Sequence, residues 1–418
     1  MRFLLFVLFT FNLVGSFAQQ RCGTTVYVQS VANLQSSVPS TSTNYSRDTV
    51  NNEIITVPVV VHVLYNQSYQ NISQAQILSQ LKSLNDDFRR MNADAANTPA
   101  AFRNEAADVL IMFCLAQLDP RGRTTNGIIR KQTNKSYFTL NDAVKFSAAG
   151  GDDAWDSKKY LNIWVCPIQG SALGYSSIPG STPDRDGVVI AYDAFGTTGL
   201  LRPSYNKGRT ATHEVAHWLG LKHIWGDQTC GDDGVGDTPQ QESYNSQCVS
   251  FPSVSSCSPD ARGDMFMNFM DYTPDACMNI FTHGQKVKMR SLFSINGARN
   301  TFMSSFVCDS TLGAGEAVPP PSPSTDTTVV DSTTKSKAID AVQVYPNPIQ
   351  NQFTVKSLDS FKLSGKNIVV YNSTGKKILQ LKASAELITI QSSIWSPGIY
   401  FIQIGEGSGR MTKKMIKY

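Results

Sequence analysis

The stretch His213-Glu214-Val215-Ala216-His217-Trp218-Leu219-Gly220-Leu221-Lys222-His223 decides how this chain is read. On a helix, residues four apart lie one turn apart on one face, so His213 and His217 can offer both imidazoles to a single cation. Gly220 lets the backbone turn without a Cβ penalty and ends the helix. His223 then returns as a third donor from outside it. Three neutral imidazoles leave a tetrahedral zinc with one open position, the arrangement of a catalytic rather than a structural site. Zinc brings the pKa of a water held there to about 7 and polarises a carbonyl. Glu214, beside the first donor, is placed to take that water's proton and deliver it to a leaving amine. The competing reading is a helix whose histidines are ordinary surface or core residues. It must explain why three of the chain's five histidines fall in this one stretch with glycine at the bend. His62 sits in an apolar strand pattern and reads as a satisfied core residue, and His283 carries no assigned role.

A zinc site with a third histidine of this kind should also carry a methionine turn beneath the metal. Asn268-Phe269-Met270-Asp271-Tyr272 fits, with Met270 as the soft floor, although Met265 and Met267 are close neighbours. The Tyr272 hydroxyl is placed to donate to the oxyanion of a tetrahedral intermediate.

Working outward, Ile54 to Tyr65 is β-branched and apolar enough for a buried strand. Ser73 caps a helical pattern running to about Met91, with Ile77, Leu78, Leu81, Leu84 and Phe88 on one face. Further strands are predicted at Val109–Leu118, Tyr160–Pro167 and Gly187–Tyr192, and a helix from near Lys207 carries His213 to Leu221. This is an α/β order. Between Asp309 and Lys337 the composition shifts to Pro, Ser, Thr and Asp, including Pro319-Pro320-Pro321-Ser322-Pro323-Ser324, which marks a semi-extended linker. From Ala341 onward, short alternating stretches between turn signals predict a separate small all-β sandwich of about seven strands.

The N-terminus reads as a secretory signal: Arg2, then a nearly unbroken apolar run from Phe3 to Val14, then Ser16-Phe17-Ala18 as a cleavage site. The run is too short to span a bilayer comfortably, and no later stretch is long and apolar enough to do so. Residues 19–52 are polar and weakly patterned, as in an exposed leader or propeptide. Export permits disulfides, and the eight cysteines are an even number. Cys230, Cys248, Cys257 and Cys277 crowd one loop-rich segment, which suggests two staples. Cys114 and Cys166 lie in apolar runs, where a buried thiol competes with a bridge. The 41% hydrophobic and 17% charged content excludes a wholly disordered chain or a coiled coil. A net charge of +4, with no basic run, gives no nucleic-acid footprint.

With these residues in place, the chain resembles the pappalysins of the metzincin clan from about Ile54 to Cys308, most densely from Thr212 to Gln285. The matching features are HEVAHWLGLKH, Gly-Val-Gly-Asp-Thr-Pro at 234–239, NFMDYTPDAC, and Phe281-Thr282-His283-Gly284-Gln285. The resemblance implies an α/β (α+β) metzincin-like zincin domain over 53–308, acting as a zinc endopeptidase and expected to work as a monomer. Its cleft would lie between an upper α/β part and an irregular lower part, with substrate extended along an edge strand. It also implies the bridges Cys230–Cys257 and Cys248–Cys277, and a calcium site drawing on Asp232, Asp233, Gly236, Asp237 and Thr238, where a solvated acidic turn is the alternative. Arg21-Cys22-Gly23-Thr24 is similar to that family's cysteine switch, in which a leader thiolate fills the fourth zinc position. A disulfide to a scattered cysteine competes with that role, and cleavage after Arg47 would activate the enzyme. In some members an acid after the methionine turn selects Arg or Lys, a role open to Asp275 unless Ala276 forms the wall.

Residues 338–418 resemble the sorting domain recognised by type IX exporters of Bacteroidota. Val344-Tyr345-Pro346-Asn347-Pro348, Pro397-Gly398-Ile399-Tyr400 and the basic ending with Lys413, Lys414 and Lys417 carry that likeness; a carbohydrate- or matrix-binding module is the rival. The expected partners are protein or peptide substrates and the type IX machinery, and the expected location is the cell surface or beyond. A surface adhesin retaining a structural metal site, or a hydrolase of another bond such as a deacetylase, would be the competing functions.

Overall fold

A computed structural model describes residues 21–31, 54–259, 261–304 and 308, together with 342–346, 349, 351–358, 362–372, 377–396, 398–405 and 411–417. The signal sequence, Arg47 and the linker read from the sequence lie outside the described residues. The chain divides into two units, one from Met1–Phe113 and Ile128–Met303, the other from Cys114–Gly127 and Ser304–Tyr418.

The first unit is built on β1 (Ile55–Tyr65), whose residues are almost all buried. Such continuous apolar sequence is what a strand covered on both faces requires. β1 pairs in parallel with β4 (Leu161–Cys166), and β4 in parallel with β6 (Val188–Ala191). β2 (Ile111–Leu115) and β3 (Ile128–Gln132) join β1, giving the order β2-β1-β4-β6-β5 with β3 also on β1. β5 (Gly174–Ser176) is short, antiparallel to β6, and forms the sheet edge.

Helix α2 (Gln74–Phe88) begins where the Ser73 side chain accepts from the Gln76 amide. Ile77, Leu81, Leu84 and Phe88 are buried, but Leu78 is 48% exposed. One residue advances a helix by about 100°, so Leu78 leaves the face that Ile77 occupies. Two buried glutamines of α2 secure the approach to the next helix. Gln76 donates to the carbonyls of Tyr192 and Phe195, while Gln80 donates to that of Gly208 and accepts from the Gly196 amide. Helix α3 (Arg209–Trp218) follows at once, and its residues are all buried. Helix α4 (His283–Ser291) starts in a capping box between Thr282 and Gln285. A short helix near the N-terminus, α1 (Thr24–Val31), lies in the stretch read as weakly patterned leader.

Three disulfides are present: Cys230–Cys257, Cys248–Cys277 and Cys114–Cys308. Cys22 and Cys166 are free and buried. Cys114 therefore bridges despite its apolar setting. His62 is fully buried, bonded to Asp152 and Asn162 and stacked on Trp164, which makes it a core residue.

The second unit carries seven strands in two antiparallel sheets. One has the order β11-β8-β7 and the other β10-β9-β12-β13. They comprise β7 (Val342–Tyr345), β8 (Gln352–Ser357), β9 (Asn367–Asn372), β10 (Lys377–Lys382), β11 (Leu387–Gln391), β12 (Gly398–Ile404) and β13 (Met411–Lys417). Phe353 and Val355 of one sheet share a core with Ile368, Val370, Ile402 and Ile404 of the other, so the unit is a β-sandwich.

Candidate metal centre and its covering strand

α3 stops because Gly220 takes a φ of +81°, which places the Leu221 amide on the Ala216 carbonyl and the Gly220 amide on that of His217. That reversal brings His223 back beside the helix. The three Nε2 atoms converge: His217 Nε2 lies 3.1 Å from His213 Nε2 and 3.1 Å from His223 Nε2. Each Nδ1 faces away toward an acceptor, His213 toward the Phe269 carbonyl at 2.7 Å, His217 toward that of Leu221 at 2.8 Å, and His223 toward Asp227. A carbonyl only accepts, so Nδ1 of His213 and His217 carries the proton and Nε2 offers a lone pair. Burial first, then the neighbouring imidazoles, push His213 well below the usual histidine range and His217 down to about 3. Neutral rings with converging lone pairs repel one another unless a cation sits among them. The residues therefore fit a metal ion.

Met270 is fully buried, and its carbonyl accepts from the Ile224 amide just after His223. The Tyr272 ring lies 4.9 Å from that of His223 and 5.8 Å from that of His213. The Trp225 ring stacks on that of His223, their centres 4.4 Å apart.

Across the cluster runs Arg21-Cys22-Gly23-Thr24. It lies parallel to the edge strand β5, with Cys22 bridged to Gly174; the Gly23 amide donates to the Gly174 carbonyl and the Leu173 amide to that of Arg21. Gly174 is itself closely packed on its other side: a Cβ there would meet the Val189 carbonyl at 2.9 Å and the Glu214 side chain at 3.0 Å. Cys22 Sγ joins the three histidines in a buried group whose ligand atoms all fall within 4.8 Å, the one such His/Cys/Asp/Glu group found among the described residues. Thr24 Oγ1 donates to Glu214 Oε2 at 2.7 Å. Arg21 pairs with Asp275 at 2.9 Å and donates to the Thr273 carbonyl at 2.7 Å. The Tyr272 hydroxyl donates to the Cys22 carbonyl at 3.3 Å.

Under this cover Glu214 is wholly buried. That burial raises its carboxyl to about 7, against the opposing pull of Thr24, Cys22 and the Arg21 charge. Burial, then the Glu214 charge, holds the Cys22 thiol well above its usual range, so a cation is what would draw off its proton.

The acidic loop is arranged differently. Asp233 accepts from Thr238 and the Val235 amide, Asp232 from the Gly234 amide, and Asp237 from Thr282 and the Gly284 amide at the start of α4. Asp275 is buried and Ala276 exposed. Sequence reasoning missed Asp227 as the partner of His223, and Arg21 and Thr24 as contacts. Asp227 could have been found from its spacing, four residues beyond a metal-type histidine. His283 is exposed at the start of α4, its amide donating to the Glu105 carbonyl.

A mainly parallel α/β sheet feeding a buried helix, with two imidazoles on it and a third converging from beyond its end, defines a metal-dependent peptidase of the zincin type. Comparison with known proteins makes this specific. A peptidase M43 profile, described as pregnancy-associated plasma protein-A, matches residues 147–294, and a secretion system C-terminal sorting domain profile matches 343–418. Mature mirolysin of Tannerella forsythia, solved with a cleaved peptide, is 54% identical, with a TM-score of 0.59 over 60% of this chain and 96% of that one. Promirolysin of the same organism is 47% identical, with a TM-score of 0.60 over 68% and 97%. An extracellular metalloprotease of Podospora anserina is 31% identical over 53% of this chain and 84% of its own length. The chain belongs to the pappalysin (M43) family of metalloproteases and carries a type IX secretion C-terminal sorting domain. It is a secreted enzyme with a three-histidine metal site. Among the described residues no helix is long and apolar enough to cross a membrane.

Proposed function

We propose that the protein is a zinc endopeptidase made as a zymogen, with a signal at 1–18, a leader at 19–52, the peptidase at 53–308, a linker at 309–337 and the sorting domain at 338–418. His213, His217 and His223 would hold the zinc, and Cys22 would take the fourth position in the latent form. Bound there, zinc would supply Lewis-acid polarisation of the scissile carbonyl and acidify a water. Glu214 Oε2 would take a proton from the attacking water as its oxygen adds to the carbonyl carbon. The same carboxyl returns the proton to the amine nitrogen as the C–N bond breaks. Tyr272 donates its hydroxyl to the oxyanion, in keeping with its present aim at the Cys22 backbone carbonyl. Met270 underlies the site.

The observation that carries this reading is the convergence of three Nε2 atoms beside a carboxyl that the leader itself caps. Glu214→Ala should keep the metal, measured by atomic absorption, and lose cleavage of casein; a variant that still cleaves at the parent rate would sink the assignment. The Arg21–Asp275 pair supports a preference for Arg or Lys just after the scissile bond, which a peptide library read by mass spectrometry would test. Calcium is proposed at Asp232, Asp233, Gly236, Asp237 and Thr238. Burial raises the Asp233 carboxyl to about 6, a penalty that a cation would relieve.

A further inference from the structure

Tyr27 of α1 is only 1% exposed, while Val26 beside it is 48% exposed. Its ring packs with Leu64, Phe138, Val144, Trp164, Tyr175 and Val189. Its hydroxyl donates to Asp142 Oδ2 at 2.8 Å. Asp142 is fully buried and also pairs with Lys145 at 2.8 Å and Arg185 at 2.9 Å. The Lys145 ammonium lies 4.8 Å from the Tyr27 ring centre and 5.3 Å from that of Tyr175, and it donates to the Arg185 carbonyl at 2.7 Å.

None of these residues serves the hydrolytic reading. A buried acid with two basic partners asks for a neutral donor rather than a further charge, and an ammonium beside apolar walls asks for a π face. A phenol meets both demands; a phenylalanine meets only the second. We propose that Asp142, Lys145 and Arg185 form a tyrosine-binding socket that holds the leader on the enzyme independently of the Cys22 thiol. The proposal rests on the reading of residues 19–52 as a leader. The leader would then have two holds, one at the metal centre and one at the socket. Removing the thiol alone would leave α1 docked.

The test uses the full-length chain carrying Glu214→Gln, which stops self-cleavage. Opening of the leader is read as the rate of Cys22 alkylation by iodoacetamide, followed by mass spectrometry. Adding Tyr27→Phe should speed that reaction about tenfold or more, the worth of a buried hydrogen bond to a charged acceptor, and Tyr27→Ala should speed it further. Equal rates in all three chains would overturn the socket. So would simultaneous labelling of buried Cys166 in Tyr27→Phe, since the tyrosine would then be holding the fold and not the leader. Alkylation requires no hydrolysis, so failure of the peptidase reading would appear separately, in casein assays with Glu214 intact.

Discussion

The two units are both rich in strand, yet their strands are written in different sequence. β1, β4 and β6 bury nearly every residue because layers cover both faces of a parallel sheet. β8 and β9 alternate, with Phe353, Val355, Ile368 and Val370 turned inward and their neighbours toward solvent. All five histidines lie in the first unit, and the second holds none. Two-sided burial gives a rigid frame on which α3 and the turn after it can hold three imidazoles in register. A sandwich satisfies its own core and leaves its surface free to act as an address.

That contrast is sharpest at Glu214. Glu214→Ala, or removal of metal with a chelator, should lower casein cleavage about a thousandfold or more. A chain ending before Val342 should cleave a short peptide within about twofold of the parent while failing to leave the cell. Loss of hydrolysis in the truncated chain would break the division of labour. Next in size, Cys22→Ala should raise activity of the unprocessed chain by about tenfold or more, read with a quenched peptide before any cleavage of the leader. An unchanged lag would remove Cys22 as guardian of the site.

Core truncations separate the units thermally. Ile163→Ala and Ile402→Ala should each cost about 2–5 kcal/mol. The first should lower the melting of the peptidase and its activity together; the second should lower a distinct transition and leave hydrolysis alone. One merged transition would show that the units do not melt independently. Asp275→Asn should weaken any preference for Arg or Lys after the scissile bond by about tenfold, measured as a ratio of kcat/KM values.

The smallest effect is a pH dependence confined to the first unit. Burial works against the charge on Asp94, but the Arg209 guanidinium overrides it and holds the carboxyl down at about 2. A depressed pKa stabilises the fold above the unfolded value and is lost as pH falls through the folded one. Chemical denaturation of the parent should therefore weaken between about pH 4 and 2, and Asp94→Asn should flatten that slope.

Much of this was legible in residue order. The strand at β1, the Ser73 cap, the helix bearing His213 and His217, and the seven-strand C-terminal pattern all follow from period and punctuation, because local hydrogen bonding and burial repeat along the chain. β5 was not legible, since three residues at a sheet edge carry no period, and neither was α1. Leu78 was misplaced by grouping it with Ile77 on a helix face it leaves. Cys114 left a buried thiol and a bridge both open, because its partner lies 194 residues away.

By itself the sequence determined the donor set: three imidazoles, one adjacent carboxyl and a glycine bend, all within a short span of helix and turn. Of what faces them, the resemblance anticipated Cys22 alone, and only the tertiary structure decided the rest. Arg21, Cys22, Thr24 and Tyr27 meet Asp275, the histidines, Glu214 and Asp142 across separations of more than a hundred residues. Such contacts depend on how the sheet edge and its loops close around one another, and no local pattern encodes that closure.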